Sequence, residues 1–459
     1  MKFSINVPVF IVFILLYLSY AVFFQFNHLT QPFYSFSKCG DVRAENHVRF
    51  LLTRLLRGRD LEEVNKNGIS CVNRLPSVFC VTTGDVRIKT GARPIVFLSA
   101  GQQFSNGTTF SIKPYPRQND EAAMVNTMSI DIVSHVESNN GIPMCDVVHV
   151  DPAIVFSTGG YSGNFFHAIN DLIMPLFITT SDFKSRIQFV IADYAPYWIK
   201  KFSQILSQLS AHDVVVASSS YFPVRSRVHC FPGAIVGFKY HDTLNINSSD
   251  APGDLNIMDF RHFLHQSLSL KNAPITPVAG KKPIMVIIAR RKSRSLLNEN
   301  EVAHLGSEVG FDVRLAPPSR LKNVTEFSQL VNSCSVMVGV VGAGLTNLVF
   351  LPKNAVVVQI VPLQLNWDAR VCYGKNPSEK FGLRYLEYHV RLEESSFYTQ
   401  YSKDHPVISD PNSIKRQGYP AFKAVYLDGQ NVTVDISRFK HTLLQAYKEV
   451  VSVNRSMTS

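Results

Sequence analysis

From Pro283 onward, short apolar runs alternate with stretches of helical period. Pro283–Ala289 (PIMVIIA), Phe311–Leu315, Ser335–Val341 and Ala355–Val361 read as buried strands. Glu299–Val309 and Val324–Val331 lie between them and read as helices. Strands spaced by helices predict right-handed βαβ units and a parallel sheet, with ligands at the carboxyl ends of the strands. The pattern upstream is similar. Met128–Val133, Asp146–Phe156, Ile187–Ala192 and Asp213–Ala217 read as strands, and Pro196–Leu209 and Leu255–Leu270 as helices. VFCVTTGDVRIKTGARPIVFLSA (78–100) reads as short strands with glycine turns. Residues 271–282, KNAPITPVAGKK, carry three breakers and a charge shift and read as a linker. A last amphipathic helix is expected over Ile436–Val450.

The first seventy residues differ in pattern. Val7–Phe26 is twenty residues without a charge, long enough to span a bilayer as a helix. Ser19 and Ala21 would suit signal-peptide cleavage, but the apolar run continues through Phe26, which favours an uncleaved anchor. Residues 1–6 are then a cytoplasmic tail and 27–70 a polar stem with one helix. The folded part is expected to begin near Cys71, with one domain over 71–270 and a second over 283–459.

Composition narrows the classes. At 46% hydrophobic and 18% charged, the chain is globular rather than disordered. Its net charge of +11 suits an anionic small substrate or partner. No basic stripe interleaved with aromatics occurs, which argues against nucleic acid. The seven cysteines include no zinc-type spacing, and all follow the apolar segment, so disulfides are permitted on that side. Cys71 and Cys80 are placed to close a small loop, and the odd count leaves at least one thiol free or intermolecular. Five sequons, at Asn106, Asn247, Asn323, Asn431 and Asn454, are consistent with a lumenal chain.

Three stretches carry candidate chemistry. In SVMVGVVGAGLTNLVFLP (335–352), a strand is followed by Gly342 and Gly344 and a short helix over Leu345–Phe350. That arrangement presents backbone N–H groups to a phosphate. Arg290, Arg291, Lys292 and Arg294 follow the first strand of this half, near the same edge, and arginine suits bidentate phosphate contacts. In STGGYSGNFFHAINDLIMPLFITT (157–180), a loop with Gly159, Gly160 and Gly163 leads into a helix on which His167 and Asp171 share a face. A carboxylate that orients an imidazole makes a general base. A hydrogen-bonded core histidine is the alternative. No Asp-x-Asp triplet occurs, so the donor site is expected to be metal-free, with arginines and a helix start holding the leaving diphosphate.

These stretches together resemble glycosyltransferase family 61, the plant xylan-decorating type. The resemblance runs through FCVTTGDVRI (79–88), GGYSGNFFHAINDLIMPLFIT (159–179), VHCFPGAIVGFK (228–239) and RRKSRSLLNENEV (290–302). It continues through VGAGLTNLVFLP (341–352), EESSF (393–397) and DGQNVTVDISRF (428–439). It implies a single-pass type II Golgi membrane enzyme of α/β class with a GT-B fold, two Rossmann-like domains facing a cleft. It implies an inverting transfer of xylose or arabinose from a UDP-sugar to a xylan backbone, with no cofactor or metal required. Related alternatives are an N-glycan core β-1,2-xylosyltransferase-like enzyme and a non-catalytic glycan-binding or complex-assembly member. His167 and Asp171 are then the catalytic pair. Arg290, Arg294, Gly342, Ala343, Gly344, Leu345, Thr346, Asn347 and Glu394 are the donor-binding set. Partners are a UDP-sugar, xylan or another glycan and the Golgi membrane; homo- or hetero-oligomer formation is left open. Two positions depart from the family pattern: Val341 stands where His is usual, and Ala168 where an acidic residue follows the helix histidine.

Overall fold

The computed structural model of the chain describes residues 42–75, 77–99, 102, 104, 109–134, 141–271 and 281–457. The apolar segment Val7–Phe26, Cys39, Asn106, the side chain of Asn454 and most of the linker (272–280) lie outside the described residues. Among the described residues no helix is long and apolar enough to cross a membrane.

Two sheets organise the chain from Val48 on. The first holds β1 (Ile69–Arg74), β2 (Ser77–Lys89), β3 (Ile95–Leu98), β4 (Thr109–Ile112), β5 (Ile130–Val133), β6 (Val147–Val148), β7 (Ala153–Ser157), β8 (Gln188–Ala192), β9 (Val215–Val216) and β10 (Val228–Phe238). Its order is β4-β5-β3-β2-β10-β7-β8-β9, with β1 on β2 and β6 on β10. The strands β10, β7, β8 and β9 run parallel, and β2 joins β10 antiparallel. The chain moves outward from β7 through β8 to β9 and returns to β10 on the other side of β7. The switch point of this sheet therefore lies between β7 and β10.

The second sheet holds β11 (Ile284–Ile288), β12 (Asp312–Ala316), β13 (Val336–Val340), β14 (Val356–Val361) and β15 (Arg384–His389). All five are parallel, in the order β12-β11-β13-β14-β15. Counted within this sheet that is 2-1-3-4-5, a doubly wound order whose switch point lies between its first and third strands, here β11 and β13. Every residue of β13 and β14 is buried, which is why those runs are continuously apolar in sequence.

Both faces of the first sheet are covered. Phe79, Val81, Ile154, Phe156, Phe189 and Ile191 point into a core shared with helices and with the second sheet. Their neighbours Cys80, Val155 and Val190 point into a second core drawn almost entirely from strands. The period of two in burial is that of a pleated strand. Disulfides join Cys71 to Cys80 and Cys145 to Cys230; Cys334 and Cys372 are free thiols.

Three sequence expectations change. Residues 48–70 are not a stem: they carry helices Val42–Thr53 and Gly58–Asn67, and Leu52, Leu55, Leu56 and Val64 are buried. Leu52 lies where a Cβ on Gly233 would come within 2.4 Å of its Cδ1, so this helix is seated against the central strand. Asp146–Phe156 is two strands, not one, because Pro152 interrupts the ladder between β6 and β7. The short helix expected from Leu345 begins two residues earlier, at Ala343, and is a 3-10 helix.

Candidate functional site

The carboxyl end of β7 leads through Thr158–Asn164 into a helix whose start is capped by Asn164, its side chain accepting from Phe166 N at 2.9 Å. After Phe165–His167 the helix widens into a π-turn over Ala168–Ile173 and returns to α at Met174–Thr180. A π-turn is rare and tends to mark a functional position, because it re-aims the side chains around it. Here it sets Asp171 under His167.

Asp171 is fully buried and heavily engaged. Its Oδ2 lies 2.7 Å from His167 Nδ1, and Arg117 Nε donates to both carboxylate oxygens at 2.9 Å. The Tyr115 hydroxyl donates to Oδ2 at 3.1 Å and Asn170 Nδ2 to Oδ1 at 2.7 Å. Burial pushes the Asp171 carboxyl up, but the His167 hydrogen bond and the Arg117 charge outweigh it, and the group sits below its ordinary value. An ionised Asp171 accepts a hydrogen bond from Nδ1, which leaves Nε2 as the ring nitrogen not engaged by Asp171. The His167 side chain is 20% exposed, so it is reachable from solvent while its partner is not.

This cluster draws on distant segments. Tyr115 and Arg117 precede the helix by about fifty residues, and Tyr240 follows the carboxyl end of β10, its hydroxyl accepting from Asn170 at 3.1 Å. The groups therefore converge at the β7–β10 switch point. Gly160 makes this possible: at φ 56° it passes the Tyr115 ring, where a Cβ would come within 2.7 Å of Cε1.

At the switch point of the second sheet, Arg290 and Arg294 follow β11 and Gly342–Asn347 follow β13. Arg290 Nε donates to Ser293 O at 2.8 Å. Gly342 has φ 150°, and a Cβ there would lie 2.4 Å from Arg290 Nη1, so the glycine is what lets the guanidinium cross the turn. Burial pushes Arg290 down to about 10, and the neighbouring Arg294 charge adds to the effect. Burial also lowers Arg294, against the attraction of Asp428, Tyr373 and Asp368. Arg294 Nε is buried without a hydrogen-bond partner. Two half-buried cations thus lie near one another, with the buried Nε of Arg294 unused. Such a site is stabilised by an anion.

Gly344 carries no side chain because a Cβ there would meet Ile288 Cγ2 at 2.7 Å. Leu345 is buried, and Asn347 Nδ2 donates to Gly344 O at 2.8 Å, so both serve the turn itself. Thr346 Oγ1 meets the Tyr373 hydroxyl at 3.2 Å. Ala343 is half-buried against the core. Glu394 is not a free ligand. Its carboxylate accepts from Arg391 N at 2.7 Å, from Asp435 N at 2.7 Å, and from Tyr388 and Arg438. It belongs instead to a frame behind the arginine loop. Thr433 N donates to Glu394 O, Val432 N to Ser295 O, and Arg294 N to Gln430 O. The three segments that carry EESSF, DGQNVTVDISRF and RRKSRSLLNENEV are one hydrogen-bonded scaffold.

Among the sequons, Asn247 and Asn323 are exposed. Asn431 Oδ1 instead accepts from Ser295 N at 2.9 Å, inside that scaffold. Val341 packs with Val361 and Ala369 in a small apolar cluster, and Ala168 is 1% exposed. Neither position offers a polar group to either cluster. Among the described residues, no three His, Cys, Asp or Glu side chains are placed to hold a metal ion.

The two clusters meet. Phe165 packs on Phe350 at 6.4 Å and Phe166 on Tyr373 at 6.0 Å between ring centroids, so the His167 helix lies against the Gly342 helix. Tyr419 feels the charges of Asp120 from the first half and of Asp368 and Arg294 from the second. The π-turns Ala369–Tyr373 and Lys423–Asp428 supply Tyr373 and Asp428 to the same region.

Sequence comparison bears directly on this arrangement. A xylan glycosyltransferase of Arabidopsis thaliana (MUCI21) is 33% identical over 392 residues, covering 82% of this chain and 78% of its own. A beta-1,2-xylosyltransferase of Oryza sativa subsp. japonica (XYXT1) is 34% identical, covering 83% and 80%. The chain belongs to glycosyltransferase family 61. The profile described as Glycosyltransferase 61 matches residues 165–358, which hold His167, Asp171, Arg290, Arg294 and the Gly342 turn but not Glu394. An alpha-1,3-arabinosyltransferase of the same rice (XAT2) is 35% identical over 85% of this chain. The chain spans 66% of that relative's length and 62% of a second rice arabinosyltransferase's (XAT3). Membership of family 61 thus rests on much of the chain, and the profile match includes the His167–Asp171 pair and the arginine loop but not Tyr115, Arg117 or Asp428.

The Asp171 pairing has a pH consequence. Its folded value lies below the ordinary 3.8, so its stabilisation is present above that pH and is lost as pH falls through the folded value. The difference in melting temperature between the native protein and Asp171→Asn is expected to be largest near about pH 6 and to shrink below about pH 4. A difference that stays constant over that range contradicts an ionised Asp171.

Proposed function

We propose that this family 61 protein transfers a pentose, xylose or arabinose, from a UDP-sugar to a xylan chain, with inversion at the anomeric carbon. The observation that carries the reading is the packing of the helix that bears the Asp171-held His167 against the glycine turn beside a half-buried pair of arginines. An acceptor hydroxyl hydrogen-bonds to His167 Nε2, and its oxygen attacks the anomeric carbon. The proton passes to Nε2 as the new glycosidic bond forms. The bond from that carbon to the diphosphate oxygen breaks, and UDP leaves with the electron pair. Arg290, Arg294 and the N–H groups of the Gly342–Asn347 turn neutralise the charge that develops on the diphosphate. Buried Asp171 is paired with half-buried Arg117, so His167 is oriented and supported while the two charges offset one another on the acceptor side.

The wider organisation goes with this reading. The two sheets serve as the two Rossmann-like halves of a GT-B fold, 71–270 for the acceptor and 283–459 for the nucleotide sugar, with helices before Cys71 packed onto the first. Val7–Phe26 anchors the protein as a single-pass type II protein of the Golgi membrane. The disulfides Cys71–Cys80 and Cys145–Cys230 suit an oxidising lumen. The pentose and xylan specificity is supported by the names of the similar plant proteins, and metal independence by the arginine pair, which takes the place of a divalent ion.

The test is transfer from a panel of UDP-sugars to xylo-oligosaccharides by the full chain in detergent, with and without EDTA. One UDP-pentose is expected to give product, with EDTA changing the rate less than twofold. Absence of product with every UDP-pentose, from a folded sample that binds UDP, rejects the reading; loss of activity in EDTA rejects its metal-free part.

A further inference from the structure

We propose that the carboxyl edge of the first sheet carries, beside His167, an aromatic platform on which an extended glycan acceptor lies, formed by Tyr197, Tyr221 and Phe222. This rests on the glycosyltransferase reading above and adds to it where the acceptor chain binds beyond the reacting sugar.

The platform is unusual for this molecule. Among the described residues, seven Phe, Tyr or Trp side chains are exposed, and three of them are Tyr197 at 48%, Tyr221 at 58% and Phe222 at 41%. Tyr197 stands in the first turn of the helix Pro196–Leu209 after β8, and Tyr221 and Phe222 stand in the loop after β9, so all three lie on the same sheet edge as the loop that leads into His167. Tyr197 and Tyr221 stand at 6.2 Å and 65° between rings, and Phe222 meets Tyr194 at 5.9 Å and 68°. Edge-on packing of this kind leaves ring faces open to solvent. An exposed cluster of rings is a binding surface more often than an accident.

The platform is continuous with the candidate site and held rigid. The Tyr197 hydroxyl lies 3.5 Å from where a Cβ on Gly163 would be, in the turn that precedes His167. Lys201, one turn on from Tyr197, sits over the Phe165 ring at 4.9 Å. The segments after β8 and β9 are tied to one another: Tyr194 N donates to Ser218 O at 2.8 Å, Asp193 N donates to Ser218 Oγ at 3.1 Å, and Ser219 Oγ donates to Tyr194 O at 2.9 Å. Thr158 Oγ1 donates to Asp193 O at 2.7 Å, which links them to the loop after β7. A preformed surface loses little freedom on binding. Open ring faces beside phenolic hydroxyls suit a ligand with an apolar C–H face and a hydroxylated rim, which is a sugar ring. Continuity with His167 selects a chain of them, with one unit at the base and the next units on the rings.

The experiment measures binding of xylobiose and xylohexaose to the full chain in detergent by calorimetry, alongside transfer to each. Tyr221→Ala with Phe222→Ala is expected to weaken xylohexaose binding about tenfold, the loss of one to two stacked rings, and to leave xylobiose and UDP affinities unchanged. The milder Tyr221→Leu keeps apolar bulk without a ring face and is expected to move in the same direction. Equal loss for both oligosaccharides, or none for xylohexaose, overturns the platform while transfer by the native protein leaves the enzyme reading standing. If the native protein binds UDP but neither binds nor modifies any xylo-oligosaccharide, the xylan reading fails and this proposal with it. Retention of xylohexaose affinity together with loss of a co-purifying protein would identify the patch as a protein contact and also overturn it.

Discussion

His167→Ala is expected to lower the rate of transfer by about 10²–10⁴-fold while UDP affinity stays within about twofold. The argument is local. His167 Nδ1 is committed to Asp171 at 2.7 Å, and Asp171 is itself fixed by Arg117, Tyr115 and Asn170. Nε2 is therefore the one basic position of the ring that is free, and the side chain is only 20% exposed, so it is held in one orientation. Removing it takes away a proton acceptor used as the acceptor oxygen attacks, so kcat falls. The arginines proposed to hold the diphosphate lie on the second sheet and are untouched, so UDP binding is expected to persist. Asp171→Asn is expected to fall between the native protein and His167→Ala, because the imidazole remains but loses the carboxylate that orients it. A His167→Ala protein with more than a tenth of native kcat contradicts the role.

Arg294→Ala is expected to reduce UDP affinity about 10- to 100-fold, and the Arg290→Ala, Arg294→Ala double variant to abolish measurable binding. Charge-assisted hydrogen bonds to phosphate are the strongest contacts the second sheet offers. Among the described residues neither guanidinium closes an ion pair with a carboxylate. Each is pushed down by burial, and Arg290 also by its neighbour, so the folded protein without an anion bears the repulsion. Removing one arginine relieves that repulsion, and the melting temperature of Arg294→Ala is expected to stay level or rise. Lost binding then cannot be ascribed to unfolding. Gly342→Ala offers an independent route to the same result, because its Cβ would displace Arg290 Nη1. Unchanged UDP affinity in Arg294→Ala, measured by calorimetry at low salt, would remove the donor site from this loop.

The parts legible in the sequence are those set by local periodicity. The strand, glycine turn and short helix of residues 335–352 is present, as Val336–Val340 and Ala343–Phe350. The parallel order of β11 to β14 follows from buried strands spaced by helices. His167 and Asp171 do share a face, although a π-turn rather than a regular α-turn joins them. The parts that were not legible depend on distant pairing. The central strand β10 contains Pro232 and two glycines, which read as breakers. The proline sits at the register shift between Phe231 and Gly233, where no ladder hydrogen bond is lost. Tyr115 and Arg117 carry no local signal, because only the fold brings them to Asp171. Glu394, expected in the donor-binding set, stands in a run of two acids, yet its oxygens are taken up by Tyr388, Arg438 and two backbone N–H groups. Leu51 and Leu52 lie at the end of the first helix and Leu55 and Leu56 follow in the turn after it, and their burial is hidden by the polar residues around them.

The account's central claim is a single displacement between two opposed faces, one supplying a base and the other holding a diphosphate. The most direct measurement is the anomeric configuration of the product, read by proton NMR of the new glycosidic linkage. The account predicts the configuration opposite to that of the UDP-pentose consumed. A product that retains the donor's configuration would require a second displacement, which a base at His167 does not provide, and would contradict the mechanism.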